Sequence, residues 1–241
     1  MKKSRAHSSL ELDARRILSD DSPFGVREAY RALYTNIMYL PIEKKCKKLV
    51  MASACPGEGK TLVSINLAYT IAANSPDTKV LLIDGDLRNP RISPLLEIDH
   101  DSTHGLSEYL AGIDAEPNFI KTAYPNLSLI CSGAESTNTT ALLSSARMDK
   151  LFALLDEKFD YVIIDTPPIT IVSDAVFFSE FTDGFLLVVR ADYSDVNTIS
   201  EAVGVLESVD AKIIGFVLAS LDAKKSKKYG RYSGYDGAYG K

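Results

Sequence analysis

The stretch Leu49–Thr61, LVMASACPGEGKT, leaves the chain few alternatives. Leu49–Ser53 is a run of apolar and small residues without polar alternation, which predicts a strand buried on both faces of a parallel sheet. It runs into Ala54-Cys55-Pro56-Gly57-Glu58-Gly59-Lys60-Thr61, a phosphate loop of the Walker A kind with Ala in place of the first Gly. Gly57 and Gly59 let the backbone curl so that its N–H groups converge on phosphate oxygens. A helix opening near Gly59–Lys60 adds the partial positive charge of its N-terminus beneath the anion. The apolar face of that helix is read as Leu62, Ile65, Ala68, Tyr69 and Ala72. Lys60 can then reach the β- and γ-phosphates, and Thr61 can place its hydroxyl on Mg²⁺. Pro56, Gly57, Glu58, Gly59, Lys60, Thr61 and Leu62 are thus the expected nucleotide-binding segment.

The 241 residues amount to one domain with tails, and 46% hydrophobic residues suffice for a sizeable core. A net charge of −5 argues against a dedicated nucleic-acid binder. Cys46, Cys55 and Cys131 have neither CxxC nor metal-ligand spacing, which fits a reducing cytosol. No apolar run reaches the roughly 18 residues of a membrane span. The opening MKKSRAHSSLELDARR has no apolar core of a signal peptide. The expectation is a cytoplasmic chain that reaches a membrane only through a partner.

Three regions follow. Residues 1–45 form an N-terminal arm and a helix that starts at Ser22-Pro23 and runs to about Leu40, with Phe24, Ala29, Leu33 and Ile37 as its inner stripe. Lys44, Lys45, Lys47 and Lys48 then crowd the entry to the first strand, as a solvated rim or as a contact for acidic lipid heads. Residues 46–223 form the core domain. Its further strands are expected at Lys79–Asp84, Asn126–Cys131, Asp160–Asp165, Gly184–Arg190 and Lys212–Ala219. Helices are expected near Ile92–Glu97, Leu106–Ala111, Ala141–Glu157, Val172–Phe181 and Val196–Val209. This alternation predicts an α/β, doubly wound, mostly parallel sheet of the P-loop NTPase type. Residues 224–241 carry Tyr229, Tyr232, Tyr235 and Tyr239 among glycines, with no aliphatic residue larger than Ala, and are expected to be flexible.

Two more strands end in aspartate: Asp84 and Asp86 in LLIDGDLRNP, and Asp165 in YVIIDTPP. Ligands of an open parallel sheet bind outside the strand carboxyl ends, so all three carboxylates are expected beside the phosphate loop. A nucleoside triphosphate brings Mg²⁺, which takes hard oxygen ligands and keeps several waters. Thr61 is the expected direct ligand, with Asp84 and with Asp165 acting directly or through water. Asp86 is the expected base for an acceptor hydroxyl, although the sequence does not rank it against Asp84. Arg88 and Arg91 either help with the phosphates and Asp86 or form surface ion pairs. Thr166 stands where a hydrolase would carry a Glu after its Walker B Asp, which favours transfer to a hydroxyl over fast hydrolysis. The absence of an N/T-KxD guanine-reading motif favours ATP over GTP.

The segments EAYRALYTN, SACPGEGKT, LLIDGDLRNP, GLSEYLAG, DYVIIDTPP and DGFLLVVR, with the tyrosine tail, resemble the bacterial tyrosine kinases of capsule and exopolysaccharide synthesis over nearly the whole chain. That resemblance implies an autokinase using ATP and Mg²⁺ and phosphorylating Tyr229, Tyr232, Tyr235 and Tyr239, with a neighbouring subunit's tail as the expected acceptor. It also implies a membrane adaptor of the polysaccharide co-polymerase type as activator, a ring-like homo-oligomer when unphosphorylated, and a cognate tyrosine phosphatase. The family's self-association motif ExxRxxR is matched by Glu28 and Arg31, but its last place is Tyr34, which cannot form the forked ion pair of Arg. Family members often carry Asn after the last core strand, near the base; here the stretch is Val217-Leu218-Ala219-Ser220, and base recognition falls to backbone groups and the neighbourhood of Arg190. The competing class is an ATP-driven switch of the septum-positioning or partition type. The loop lysine that such proteins reach across a dimer would fall on Cys55, and a thiol does not replace an ammonium.

Overall fold

Strand β1 (Lys47–Ser53) is buried from Lys48 to Ser53, so both of its faces need cover. The structure, a computed structural model, describes residues 11–98 and 104–220. In chain order the elements are α1 (Phe24–Met38), β1, α2 (Lys60–Asn74), β2 (Val80–Asp84), α3 (Ile92–Leu95), α4 (Leu106–Ala111), β3 (Ile120–Lys121) and β4 (Leu127–Ile130). Then come α5 (Thr139–Leu143), α6 (Arg147–Lys158), β5 (Tyr161–Asp165), a 3₁₀ helix (Ser173–Phe178), β6 (Gly184–Arg190), α7 (Val196–Glu207) and β7 (Ile213–Ala219). The seven strands form one sheet in the order β3-β4-β2-β5-β1-β6-β7. All pairs are parallel except β3 with β4, a short antiparallel edge that the strand pattern did not predict. Two residues are too few for alternation to register.

The sheet divides the core in two. Leu49, Met51, Leu82, Ile163 and Val188 face α1 and α2, while Val50, Ala52, Ile83, Ile164 and Leu187 face α4, α6 and α7. This period-two alternation of equally apolar faces is why the strands read as continuous hydrophobic runs. The register sets Asp84 opposite Asp165, so β2 and β5 end level. The chain then needs a glycine: Gly85 donates its N–H to the Asp165 carbonyl at 2.8 Å, and a Cβ on Gly85 would lie 2.7 Å from that same oxygen.

Several expectations are corrected. Helix α2 is buried around most of its circumference, including Val63, Ser64, Asn66, Leu67, Thr70 and Ile71, rather than on one stripe, because α1 and residues 13–18 pack over its outer side. The helix expected over Ala141–Glu157 is broken into α5 and α6 at Ser144–Ala146, and Val172–Phe181 shortens to the 3₁₀ helix. Pro23 is the N-cap of α1 rather than its first residue, and Ser22 provides no side-chain cap. The lysine rim is largely tied down. Lys48 is buried and paired with Asp156, Lys44 lies 2.9 Å from Asp183, and Lys47 donates to the Met38 carbonyl at the end of α1 at 2.7 Å.

The inner face of α1 also differs from the expected stripe. Ala29 is exposed, while Tyr34 and Ile37 are the buried residues. Tyr34 packs edge-on against Tyr161, with ring centroids 6.0 Å apart, and shares a 2.7 Å hydrogen bond with the Ser75 hydroxyl. Its place in the ExxRxxR spacing therefore faces the core. An Arg there would bury a charge without a partner. Tyr34→Phe is expected to cost about 1 kcal/mol and Tyr34→Arg about 3 kcal/mol in urea denaturation, in place of any gain in self-association.

Candidate nucleotide and phosphoryl-transfer site

The carboxyl ends of β1, β2, β5 and β6 gather the expected site residues at one edge of the sheet. Gly59, left-handed at φ 90°, is the N-cap that turns the loop into α2. The next residues face Asp165 at the end of β5. Lys60 Nζ lies 2.8 Å from its Oδ1, Thr61 Oγ1 donates to its Oδ2 at 2.7 Å, and Ser64 Oγ donates to its Oδ1 at 3.0 Å. Lys60 and Asp165 are both buried, so the pair is held by these extra hydrogen bonds as well as by charge. Ser64 was not among the sequence candidates. Its signal was there: it lies four residues after Lys60, on the same side of the helix.

Asp84 and Asp86 sit beside this joint. Asp84 accepts the backbone N–H of Asp86 at 3.3 Å and of Ile92 at 3.0 Å, so the α3 segment wraps over it. Burial, reinforced by the Asp165 charge, pushes its carboxyl up to about 7. Asp86 accepts from the N–H groups of Arg88 and Asn89 at 3.3 and 3.0 Å. Burial raises its pKa too, opposed by Lys60 and by these amides. The open question over the two arginines resolves to ion pairs. Arg88 makes a forked contact with buried Asp174, at 2.7 and 3.0 Å, and donates to the Thr139 hydroxyl at 2.5 Å; Arg91 lies 3.2 Å from Asp13.

The other candidates fall as follows. Arg190 Nη1 donates to the Gly57 carbonyl at 3.0 Å, which places it at the loop. Glu58 is 1% exposed, with its carboxylate turned onto the Cys55 N–H and the Ser194 hydroxyl. Leu62 is half-buried in the first turn of α2. Tyr193 and Ser194, missed in the sequence, follow the carboxyl end of β6, where ligand-side residues of such sheets gather. Glu28 and Arg31 form a 2.6 Å ion pair with each other on exposed ground of α1. Tyr229, Tyr232, Tyr235 and Tyr239 lie outside the described residues.

The donor set suits Mg²⁺ with a nucleotide: one hydroxyl and carboxylates beside a lysine and a helix N-terminus. Among the described residues no three His, Cys, Asp or Glu side chains form a metal cage, and a Mg²⁺ shared with phosphates and water needs none. No helix of the described residues is long and apolar enough to cross a membrane.

A parallel sheet with a glycine loop feeding a helix N-terminus, and aspartates at the neighbouring strand ends, defines a P-loop nucleotide-binding domain. The family model for an AAA domain matches residues 46–212. The chain is similar to the tyrosine-protein kinase CpsD of Streptococcus pneumoniae, with 37% identity over 89% of this chain and 92% of that one. Among solved structures it is similar to the kinase domain of the Escherichia coli tyrosine kinase ETK, at 35% identity and a TM-score of 0.77, covering 84% of this chain and 78% of that one. The septum site-determining protein MinD of Pyrococcus horikoshii, solved with Mg-ADP, shares 26% identity at a TM-score of 0.58, over 72% of this chain and 70% of that one. The chain belongs to the bacterial tyrosine-protein kinase family.

Asp84 gives the site a pH signature. Between about 4, its ordinary value, and about 7, the folded chain holds a proton that the unfolded chain has released, so raising the pH costs stability. The nucleotide-free protein is expected to lose unfolding free energy as the pH rises through this window. Asp84→Asn should flatten the slope, as read by urea midpoints at successive pH values.

Proposed function

We propose that the site transfers the γ-phosphoryl group of ATP to tyrosines of the chain's own tail, Tyr229, Tyr232, Tyr235 and Tyr239, in trans between copies. The observation that carries this is the convergence of Lys60 and Thr61 on Asp165, with Asp84 and Asp86 alongside, in a chain of the tyrosine-kinase family. In this reading the loop amides of Gly57–Leu62 and Lys60 bind the phosphates, and Arg190 stands at the rim. Thr61, Asp84 and Asp165 would hold Mg²⁺, which offsets charge on the phosphate oxygens. The tyrosine oxygen forms a bond to the γ-phosphorus, the bond to the β–γ bridging oxygen breaks, and ADP leaves. The phenolic proton passes to a carboxylate. Asp86 is the assigned acceptor, because Asp84 is given to the metal in this reading and both backbone N–H bonds to Asp86 fall on its Oδ1.

The domain division proposed with this function is 1–45 for the arm and oligomerisation helix, 46–223 for the kinase domain and 224–241 for the acceptor tail. The tail carries six Lys and Arg against one Asp, which draws it toward an acidic site, and each phosphate adds about −1.5 to −2 charges that weaken the attraction. The proposed partners are a membrane adaptor of the polysaccharide co-polymerase type, which brings the kinase to the inner face of the membrane, and further copies in a ring-like assembly when unphosphorylated. A cognate tyrosine phosphatase resets the tail, and the pathway served is capsular or exopolysaccharide synthesis. The family membership supports these assignments, and the exposed Glu28–Arg31 pair on α1 is the surface offered to a neighbouring copy.

Lys60→Met is expected to abolish the Mg-ATP-dependent gain of phosphate mass while the circular dichroism spectrum stays native. Intact mass spectrometry with a fused adaptor tail reads this, and a chain with Phe at all four tail tyrosines should gain no phosphate either. Normal phosphate on the Lys60→Met chain, in a system free of other kinases, would sink the assignment. Asp86→Asn should lower turnover by about a hundredfold or more while leaving ATP affinity within a few-fold, since a base acts in the transition state. Unchanged turnover with weakened Mg-ATP binding would make Asp86 a metal ligand instead.

A further inference from the structure

The turn that follows β6 holds the phosphate loop through three side chains. Arg190 donates to the Gly57 carbonyl at 3.0 Å. Tyr193 donates its hydroxyl to the Pro56 carbonyl at 3.1 Å, and its ring lies under the Arg190 guanidinium, 5.2 Å from the centroid. Ser194 accepts the Arg190 backbone N–H at 2.8 Å and donates its own hydroxyl to Glu58 Oε1. The other Glu58 oxygen accepts the Cys55 N–H at 2.8 Å. Two successive loop carbonyls and the one loop carboxylate are therefore all fixed from the same five-residue segment.

Glu58 makes this arrangement more than packing. A carboxylate inside a loop that binds phosphate repels the ligand wherever it is free to turn, and the low local dielectric magnifies the effect. Here it is 1% exposed and committed on both oxygens. Pinning the Pro56 and Gly57 carbonyls toward the turn has a matching consequence. Nucleotide meets a loop whose curl is already set, and less ordering entropy is lost on binding.

We propose that Arg190, Tyr193 and Ser194 act as a clamp on the phosphate loop, with Ser194 the positioning residue that holds the Glu58 carboxylate off the nucleotide phosphates. The clamp rests on the reading of this loop as the ATP site. It acts on binding, so in turnover its loss falls on KM for ATP rather than on kcat.

Calorimetric titration of the full chain with Mg-ADP and Mg-ATP tests it. Ser194→Ala should weaken both by about tenfold, and Tyr193→Phe, which keeps the ring, by about threefold. Ser194→Thr should restore binding by returning the hydroxyl. Glu58→Gln added to Ser194→Ala should recover part of the loss, because the released side chain then carries no charge; a merely structural Ser194 would give no such recovery. Thermal unfolding without nucleotide reports whether each variant is folded, and Tyr193→Phe, on an exposed ring, keeps the test decisive if Ser194→Ala does not fold. Wild-type affinity in both Ser194→Ala and Tyr193→Phe overturns the clamp, as does a double variant that binds no tighter than Ser194→Ala. A wild-type chain that binds neither nucleotide overturns the nucleotide reading itself, and the clamp with it.

Discussion

Asp165 is the joint of the molecule. Its carboxylate takes Lys60, Thr61 and Ser64 from one helix N-terminus, and its carbonyl takes the Gly85 N–H from the end of β2. It thereby ties α2, whose apolar packing on the sheet does not fix direction, to the paired ends of β2 and β5. A carboxylate this deeply buried is tolerable only when every oxygen is answered, and three donors on a single helix do so with one rigid body. The same economy sets the side-chain choices around it. Gly85 exists because β2 must approach Asp165 more closely than a Cβ allows, and Ser64 supplies the third donor from the same helix.

The fold was legible in the sequence where its physics is local and periodic. The central strands are apolar without interruption because both faces are covered, and Leu49–Ser53, Asp160–Asp165 and Gly184–Arg190 were placed to within a residue or two. Helix faces were harder. Tyr34 has a polar tip and reads as surface, yet it is buried because Ser75, 41 residues away, answers its hydroxyl. Lys48 looks like part of a basic rim, yet it is buried because Asp156 lies in front of it. Both errors share one cause: a polar group can be buried wherever a distant partner satisfies it, and partners across the fold leave no trace in local spacing.

The candidate site divides along the same line. Lys60, Thr61, Asp84, Asp86 and Asp165 could be found because chemistry fixes their types and the sheet fixes their ends. Tyr193 and Ser194 carry no motif, and only the parallel pairing of β6 beside β1 brings them to the loop. Arg88 shows the reverse: its place next to the aspartates left a role with the phosphates or Asp86 and an ion pair equally open, and only the fold brings up Asp174, more than 80 residues along, to hold it in a forked pair. That pair ties the segment after Asp86 to the 3₁₀ helix and so restrains the backbone whose amides hold the Asp86 carboxylate.

The sheet is shared with the septum site-determining protein MinD, so the fold alone does not set the chemistry. Two positions at the site are structurally committed here. The residue after Asp165 is Thr166, fully buried, with its hydroxyl on the Met51 carbonyl at 3.0 Å; a glutamate at that place would have to bury a charge against a strand backbone. Cys55, the loop's second position, carries a half-buried thiol and so presents no cation to a facing subunit, while its N–H serves Glu58 within the loop. What remains at the edge of the sheet is a lysine and three aspartates. Such a site can bind phosphates and accept a proton, but it holds no added carboxylate, in the place a hydrolase would use, to activate water. A positioned phenol, far more acidic than water, is the nucleophile that such a site can use.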